Sequence, residues 1–412
     1  MEHTLRHASL DDMVAMLRDQ HARRVDVVAP AAALTAKWGS LVIAGTEPVI
    51  EDDGVTMADG TYYPTKVCVD GLASRLNIPV GYLRRLSINR PDLFDDNVNG
   101  WLHGTQAGAP EHHADPSTDK YLIRCLRGDD GQPGIARAVL SDSYLMIDNL
   151  DVLMAVLEGV REAGVPVNLD PTCCHLGDEK MHVTVWSDAV KAMAPALLER
   201  YRSPFEGQDA PRRAGWDLRA ALAAAEREGQ GYDGDEPIIN AGFLFQNSEV
   251  GLGRFTITPR MRVRACKNGL IVDENIVARQ HLGVKLDVGV VKWGAATVSK
   301  TLELIKAQTA DAVRTFLDVE YLKAKITELE RTAGAPVRDP AEMVKLVSKN
   351  LRYSDERQTQ ILEMFTRGGQ MTAAGMMNAV TAAAQTIEDP DEAFAVEADG
   401  VKAMRLVASL AG

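Results

Sequence analysis

No stretch of this 412-residue chain approaches the roughly 18 uninterrupted apolar residues of a membrane-spanning helix, so a helical membrane protein is not expected. The opening Met1-Glu2-His3-Thr4 lacks the basic-then-apolar pattern of a secretory signal, which leads to the expectation of a cytoplasmic protein. Cysteine is scarce: Cys68, Cys125, Cys173, Cys174 and Cys266 form an odd set whose only close pair is adjacent in sequence. Such a set does not build a disulfide framework, and reduced thiols are predicted. Cys173-Cys174-His175 with His182 offers ligand types suited to zinc, but no C-x-x-C or H-x-x-x-H spacing supports a site, and buried thiols beside a turn are the simpler reading.

Catalytic signatures are missing too. There is no Walker-type Gly-x-x-x-x-Gly-Lys-Ser/Thr, no Gly-x-Ser-x-Gly elbow and no His-Glu-x-x-His. The acidic pairs Asp52-Asp53, Asp95-Asp96 and Asp129-Asp130 sit in loop-like surroundings and read as solvated turns. No cofactor and no metal is implied, and a non-enzymatic role is favoured.

What is present is a local reversal of charge. The chain carries 58 acidic and 45 basic residues, a formal net charge of -13, which argues against polyanion binding over the whole surface. Yet Gly251 to Val272 contains no Asp or Glu, and it holds Arg254, Arg260, Arg262, Arg264 and Lys267. Residues two apart on a strand share a face. Arg260, Arg262 and Arg264 therefore form a cationic row, with Met261, Val263 and Ala265 behind it. Arginine suits phosphate because its planar fork donates paired hydrogen bonds and stays charged, and a spacing of ~6.6 Å between alternate residues is close to the phosphate repeat of an extended strand. Arg279, Lys292 and Trp293 follow, the last able to stack on a base. Pro259 marks this strand as an edge or an interrupted one.

The wider pattern predicts three regions: an N-terminal α+β domain over 1–110, a central α+β core over 119–333 with an insertion at 188–236, and a helical region over 334–412. Ser9-Leu10-Asp11-Asp12 reads as a capping box before an amphipathic helix. Strands are expected at 41–44 and 62–69, with a short helix at 70–76. Gly104 to Thr118 reads as a linker. Runs 121–127 and 135–140 form a hairpin; a helix ends at Gly164; strands follow at 167–173, 181–186, 238–245 and 254–266. Val298, Leu302, Ile305, Thr309, Ala312, Phe316 and Val319 keep a 4,3,4,3 spacing that predicts one helix of some thirty residues reaching about Leu329. Pro340, Gly368-Gly369 and Pro390 break the helical tail. The fold class is α+β: an antiparallel sheet packed against a long helix.

Three phrases carry a resemblance: Phe243-Leu244-Phe245-Gln246-Asn247-Ser248-Glu249-Val250-Gly251, Arg264-Ala265-Cys266-Lys267-Asn268-Gly269, and Val139-Leu140-Ser141-Asp142-Ser143-Tyr144, with Asn378-Ala379-Val380-Thr381 in the tail. In these the chain resembles the phage/plasmid-like proteins catalogued as domain of unknown function 932, over residues 120 to 385, which implies a mobile-element origin. By its inferred strand-helix order it is similar, more remotely, to single-strand annealing recombinases of the Rad-fifty-two type. The resulting expectation is an oligomeric, sequence-nonspecific protein that binds and anneals single-stranded DNA without metal or nucleotide hydrolysis. Its alternatives are an enzyme acting on a phosphorylated ligand and a structural or host-interaction protein of a mobile element.

Overall fold

The computed structural model describes residues 3–47, 49–51, 54–104, 116–129, 131–141, 147–198, 201, 204–205, 238–263, 269–271, 277–279, 289–290 and 295–411. The chain is α+β, with a helical C-terminal region.

Its strands are β1 (Leu5–Ala8), β2 (Arg24–Pro30), β3 (Leu34–Lys37), β4 (Ser40–Ile43), β5 (Val49–Glu51), β6 (Gly54–Thr56), β7 (Gly60–Pro64), β8 (Lys120–Leu126), β9 (Gly134–Ser141), β10 (Cys174–Leu176), β11 (Met181–Met193), β12 (Ile238–Asn247), β13 (Phe255–Val263), β14 (Gly269–Ile271), β15 (Val277–Arg279) and β16 (Gly289–Val290). They form two main sheets. One has the order β16-β2-β8-β9-β7-β4-β3; the other runs β1-β10-β11-β12-β13-β14, with β15 also paired to β13, while β5 and β6 make a separate ribbon.

The expected boundary at residue 110 does not separate these sheets. β1 pairs with β10, β2 with β8 and β7 with β9, so N-terminal strands complete both of them. The expected linker lies mostly outside the described residues.

Local signals explain the helices. α1 (Leu10–Arg23) opens on a capping box in which Ser9 Oγ accepts from the Asp12 N–H and Asp12 accepts from the Ser9 N–H. α2 (Lys66–Arg75) starts earlier than expected and replaces the end of the predicted strand, because Thr65 Oγ1 caps the Cys68 N–H. α3 (Val80–Asn89) and α4 (Pro91–His103) follow; Leu72, Leu83, Phe94 and Val98 of α2 to α4 form a core with Val27, Ile43 and Ile123 of the first sheet.

α5 (Asn149–Ala163) ends at Gly164, whose φ of 71° is the left-handed conformation glycine adopts freely. The segment expected as a strand at 167–173 has only the isolated bridge of Asn168 with Trp186. Where a helical insertion was expected, β11 continues to Met193 and α6 (Pro195–Leu198) follows; 206–237 lie outside the described residues.

The long helix is two helices, α7 (Ala295–Phe316) and α8 (Val319–Ala333), because Asp318 caps the second. The rest of the tail is α9 (Pro340–Leu351), α10 (Asp355–Gly368), α11 (Ala373–Gln385) and α12 (Pro390–Ala411), broken at the positions the glycines and prolines mark. α1, α5 and α7 to α12 share a second core with the apolar side of β11, β12 and β13.

The sheets are tied by a buried charge network. Glu249, just after β12, pairs with Arg137 of β9 and lies 3.5 Å from Arg124 of β8, while its Oε2 accepts the Asn149 N–H at 2.9 Å. Part of the phrase 243–251 is thus structural: Asn247 also donates to the Ile147 carbonyl and to Asn149.

Candidate functional site

Strand alternation sorts the second sheet into two faces. Val183, Val185, Phe243, Phe245, Ile257 and Met261 enter the core. His182, Thr184 and Trp186 of β11, Gly242 and Gln246 of β12, and Arg260 and Arg262 of β13 share the opposite side. The row of arginines was expected to face an anionic partner directly. Instead the first turns of α12 lie over it, presenting Asp391, Phe394 and Glu397 at three-residue intervals, which places them on one helix face.

Each of the three residues meets a specific group. Asp391 Oδ1 is 2.9 Å from His182 Nε2, and His182 Nδ1 is 2.8 Å from the Gln246 amide nitrogen. Gln246 Oε1 accepts from Thr256, so the amide donates to Nδ1 and the imidazole proton sits on Nε2. Phe394 stacks on the same imidazole, with centroids 4.3 Å apart, and meets the His175 ring edge-on at 5.2 Å. Glu397 receives two hydrogen bonds from Arg260, one of them from Nε at 2.9 Å, and Arg260 also donates to Thr184.

Arg262 pairs with Asp170. Both guanidiniums lie over Trp186, 5.2 and 5.5 Å from its ring centroid. The open phosphate-binding row is therefore corrected for these two residues: carboxylates of the same chain already hold them, and Arg260 is 9% exposed. Arg254 is exposed and does not line the cavity described below. Arg279 ends β15, its backbone paired opposite Phe255. Arg264, Lys267, Lys292 and Trp293 lie outside the described residues. The edge or interruption expected at Pro259 is corrected: β13 runs unbroken from Phe255 to Val263 and is paired on both sides, with β12 on one and, on the other, β15 at 255–257 and β14 at 260–262.

Beside this layer is a cavity of about 210 Å3, between Arg260, Arg262 and Trp186 on the sheet, Phe394 and Glu397 on α12, and Arg6 and His7 of β1. A bulge places the last two. Four residues from Leu5 to Ala8 oppose three from Leu176 to Cys174, and His7 takes a φ of 52°. Bulges re-aim side chains in this way.

Arg6 Nη1 is 3.2 Å from His175 Nδ1, which also accepts the His7 N–H at 3.2 Å. Among the described residues no carboxylate forms an ion pair with Arg6. Burial lowers its pKa despite the attraction of Glu397 and Asp389. Burial, reinforced by Arg6, pushes His175 down to about 2, and burial lowers His7 as well. Both imidazoles are neutral at pH 7. Among the described residues lining the cavity, three guanidiniums thus face two carboxylates, Asp170 and Glu397, an excess of one positive charge.

Sequence reasoning found Arg260 and Arg262 and missed Arg6, Asp170, His175, His182 and Glu397 as their companions. The spacing of Asp391, Phe394 and Glu397 was the one available signal. No family model, curated protein or solved structure matches the chain.

Proposed function

We propose that the chain binds a small organic anion, bearing a carboxylate or a phosphate, in the cavity between β1, β13 and α12. The observation that carries this reading is Arg6: a half-buried guanidinium that faces the cavity and, among the described residues, forms no ion pair with a carboxylate. An anion there supplies the missing charge and gains charge-assisted hydrogen bonds. The volume of about 210 Å3 falls below the ~300–1,000 Å3 of drug-sized sites. That favours a small metabolite over a polynucleotide backbone, and it shifts the weight from single-strand annealing toward the phosphorylated-ligand alternative.

The test is a thermal-shift series with inorganic phosphate, mono- and dicarboxylates, mononucleotides and a single-stranded oligonucleotide, each at two ionic strengths. A small anion should raise Tm in proportion to the logarithm of its concentration once saturating, and Arg6→Ala should abolish that shift. If only the oligonucleotide stabilises the chain, with affinity falling steeply with salt, the nucleic-acid reading is restored and the small-anion reading fails.

A further inference from the structure

Two adjacent thiols, one of them in the cavity wall, take no part in anion binding. Cys173 lines the cavity, and its Sγ is 3.5 Å from Sγ of Cys174. Neighbours within a strand point to opposite faces, but Cys173 stands outside β10. Its N–H donates to the Asp170 carbonyl in a turn, while Cys174 begins the strand opposite Val183 and Ala8. The change from turn to strand lets both sulfurs converge. We propose that Cys173 is a peroxide-modifiable thiol and that Cys174 resolves the product.

The surroundings support this assignment. The hydrogen bond between the two thiols lowers the pKa of Cys173 against the effect of burial, and the same bond, with burial, raises that of Cys174. Cys173 lines the cavity and Cys174 does not, so Cys173 is the sulfur that a peroxide in the cavity meets, and the direction of its shift favours the thiolate, the nucleophilic form. Cys68, Cys125, Cys173 and Cys174 are all buried, but Cys173 lines this cavity, whereas burial raises the thiols of Cys68 and Cys125, which do not. Hydrogen peroxide, little larger than water, is small against the cavity's volume of about 210 Å3.

In the first step the Cys173 thiolate attacks one peroxide oxygen. The O–O bond breaks, hydroxide leaves and takes up a proton as water, and sulfenic acid remains. In the second, Cys174 gives up its thiol proton and attacks the Cys173 sulfur. The S–O bond breaks, and the departing hydroxide takes that proton as a second water. Two thiols are oxidised by two electrons to one disulfide, and one peroxide is reduced to two waters. Consecutive Cα atoms are only ~3.8 Å apart, shorter than the ~4.4–6.8 Å usual for a disulfide. The bond is therefore strained and readily reduced by a monothiol.

Treating the intact folded chain with hydrogen peroxide and measuring its peptides by mass spectrometry tests this. The peptide holding Cys173 and Cys174 should lose two hydrogens, and a monothiol should restore them. Cys174→Ser should stop at the sulfenic acid and label with a 1,3-dicarbonyl reagent at least about tenfold more than the unaltered chain. The proposal is overturned if the unaltered chain shows no change at this pair under doses that oxidise free cysteine, or if labelling is equal in the variant. The first measurement needs no substitution, so a poorly folding variant does not protect the idea.

Discussion

Arg260 and Glu397 neutralise each other across 137 positions of chain, one on β13 and the other on α12, with each side chain 10% exposed. Removing one partner strands the other in a largely buried site. Glu397→Leu should lower stability by about 3–5 kcal/mol, the usual cost of breaking a buried pair. Arg260→Met combined with Glu397→Leu should recover much of the loss, since apolar groups of similar volume need no compensation. Urea denaturation of both chains at neutral pH decides this. A single substitution costing less than about 1 kcal/mol would mean that the guanidinium finds another acceptor.

Acid should weaken the fold in two stages. His175 is held near 2 mainly by burial, against an ordinary value of 6.5, and burial also lowers His182 despite Asp391. A folded-state pKa below the unfolded one means that the unfolded chain binds more protons, so stability is present above 6.5 and is lost as pH falls from there. For Glu249, burial acts upward, but Arg124, Arg137 and the Asn149 N–H together outweigh it and hold the carboxyl at about 2, against an ordinary 4.5. Its contribution is lost between 4.5 and 2. The raised carboxyls of Asp26 and Glu397 act in the opposite sense, which is why the comparison is made by difference. Denaturation curves across pH should show His175→Phe flattening the dependence from 6.5 downward, and Glu249→Gln only below 4.5. Slopes unchanged in both variants would refute the assignment.

The Trp186 indole lies against the Cα of Gly242, and a Cβ there would also press on the Val185 carbonyl. Gly242→Ala should therefore displace the ring that carries both guanidiniums, at a cost of about 1–3 kcal/mol for overpacking. The chain has five tryptophans, so the readout is the difference in fluorescence between the folded variant and the parent, which should shift toward that of a more exposed indole. An unshifted spectrum with unchanged stability would show that the strand yields instead.

Features legible in the sequence were those set by neighbours in the chain. The capping box at Ser9, the β8–β9 hairpin, the glycine stop at Gly164 and the breaks at Pro340, Gly369 and Pro390 each depend on a few adjacent residues. The division into two sheets was hidden because period-two patterns give a strand's faces but not its partners. The arginine row was visible for the same reason, and its closure was not. Asp170 lies 92 positions from Arg262, and Glu397 lies 137 from Arg260. Arg6 went unnoticed because a bulge, a matter of register, turns it into the cavity.

The stripe from Val298 to Val319 promised one continuous helix, and its failure isolates a single side chain. Ile305, Thr309, Ala312 and Phe316 are buried as the spacing requires, whereas Val319 is 39% exposed. Between them Asp318 leaves helical geometry at φ -95° and ψ 134°, and its Oδ1 accepts the N–H groups of Glu320 and Tyr321, both at 2.9 Å. Two orphan donors of α8 are thereby satisfied, and the Asp318 carboxylate also sits favourably at the positive end of the helix. Asp318→Ala should cost about 1 kcal/mol, within the ~0.5–2 kcal/mol range of lost N-caps, and Asp318→Asn much less because its amide oxygen still accepts. Urea denaturation of the two variants separates them. If Asp318→Ala is neutral or stabilising, α7 and α8 fuse once the cap is gone, and the continuous stripe, not the aspartate, is the stronger instruction.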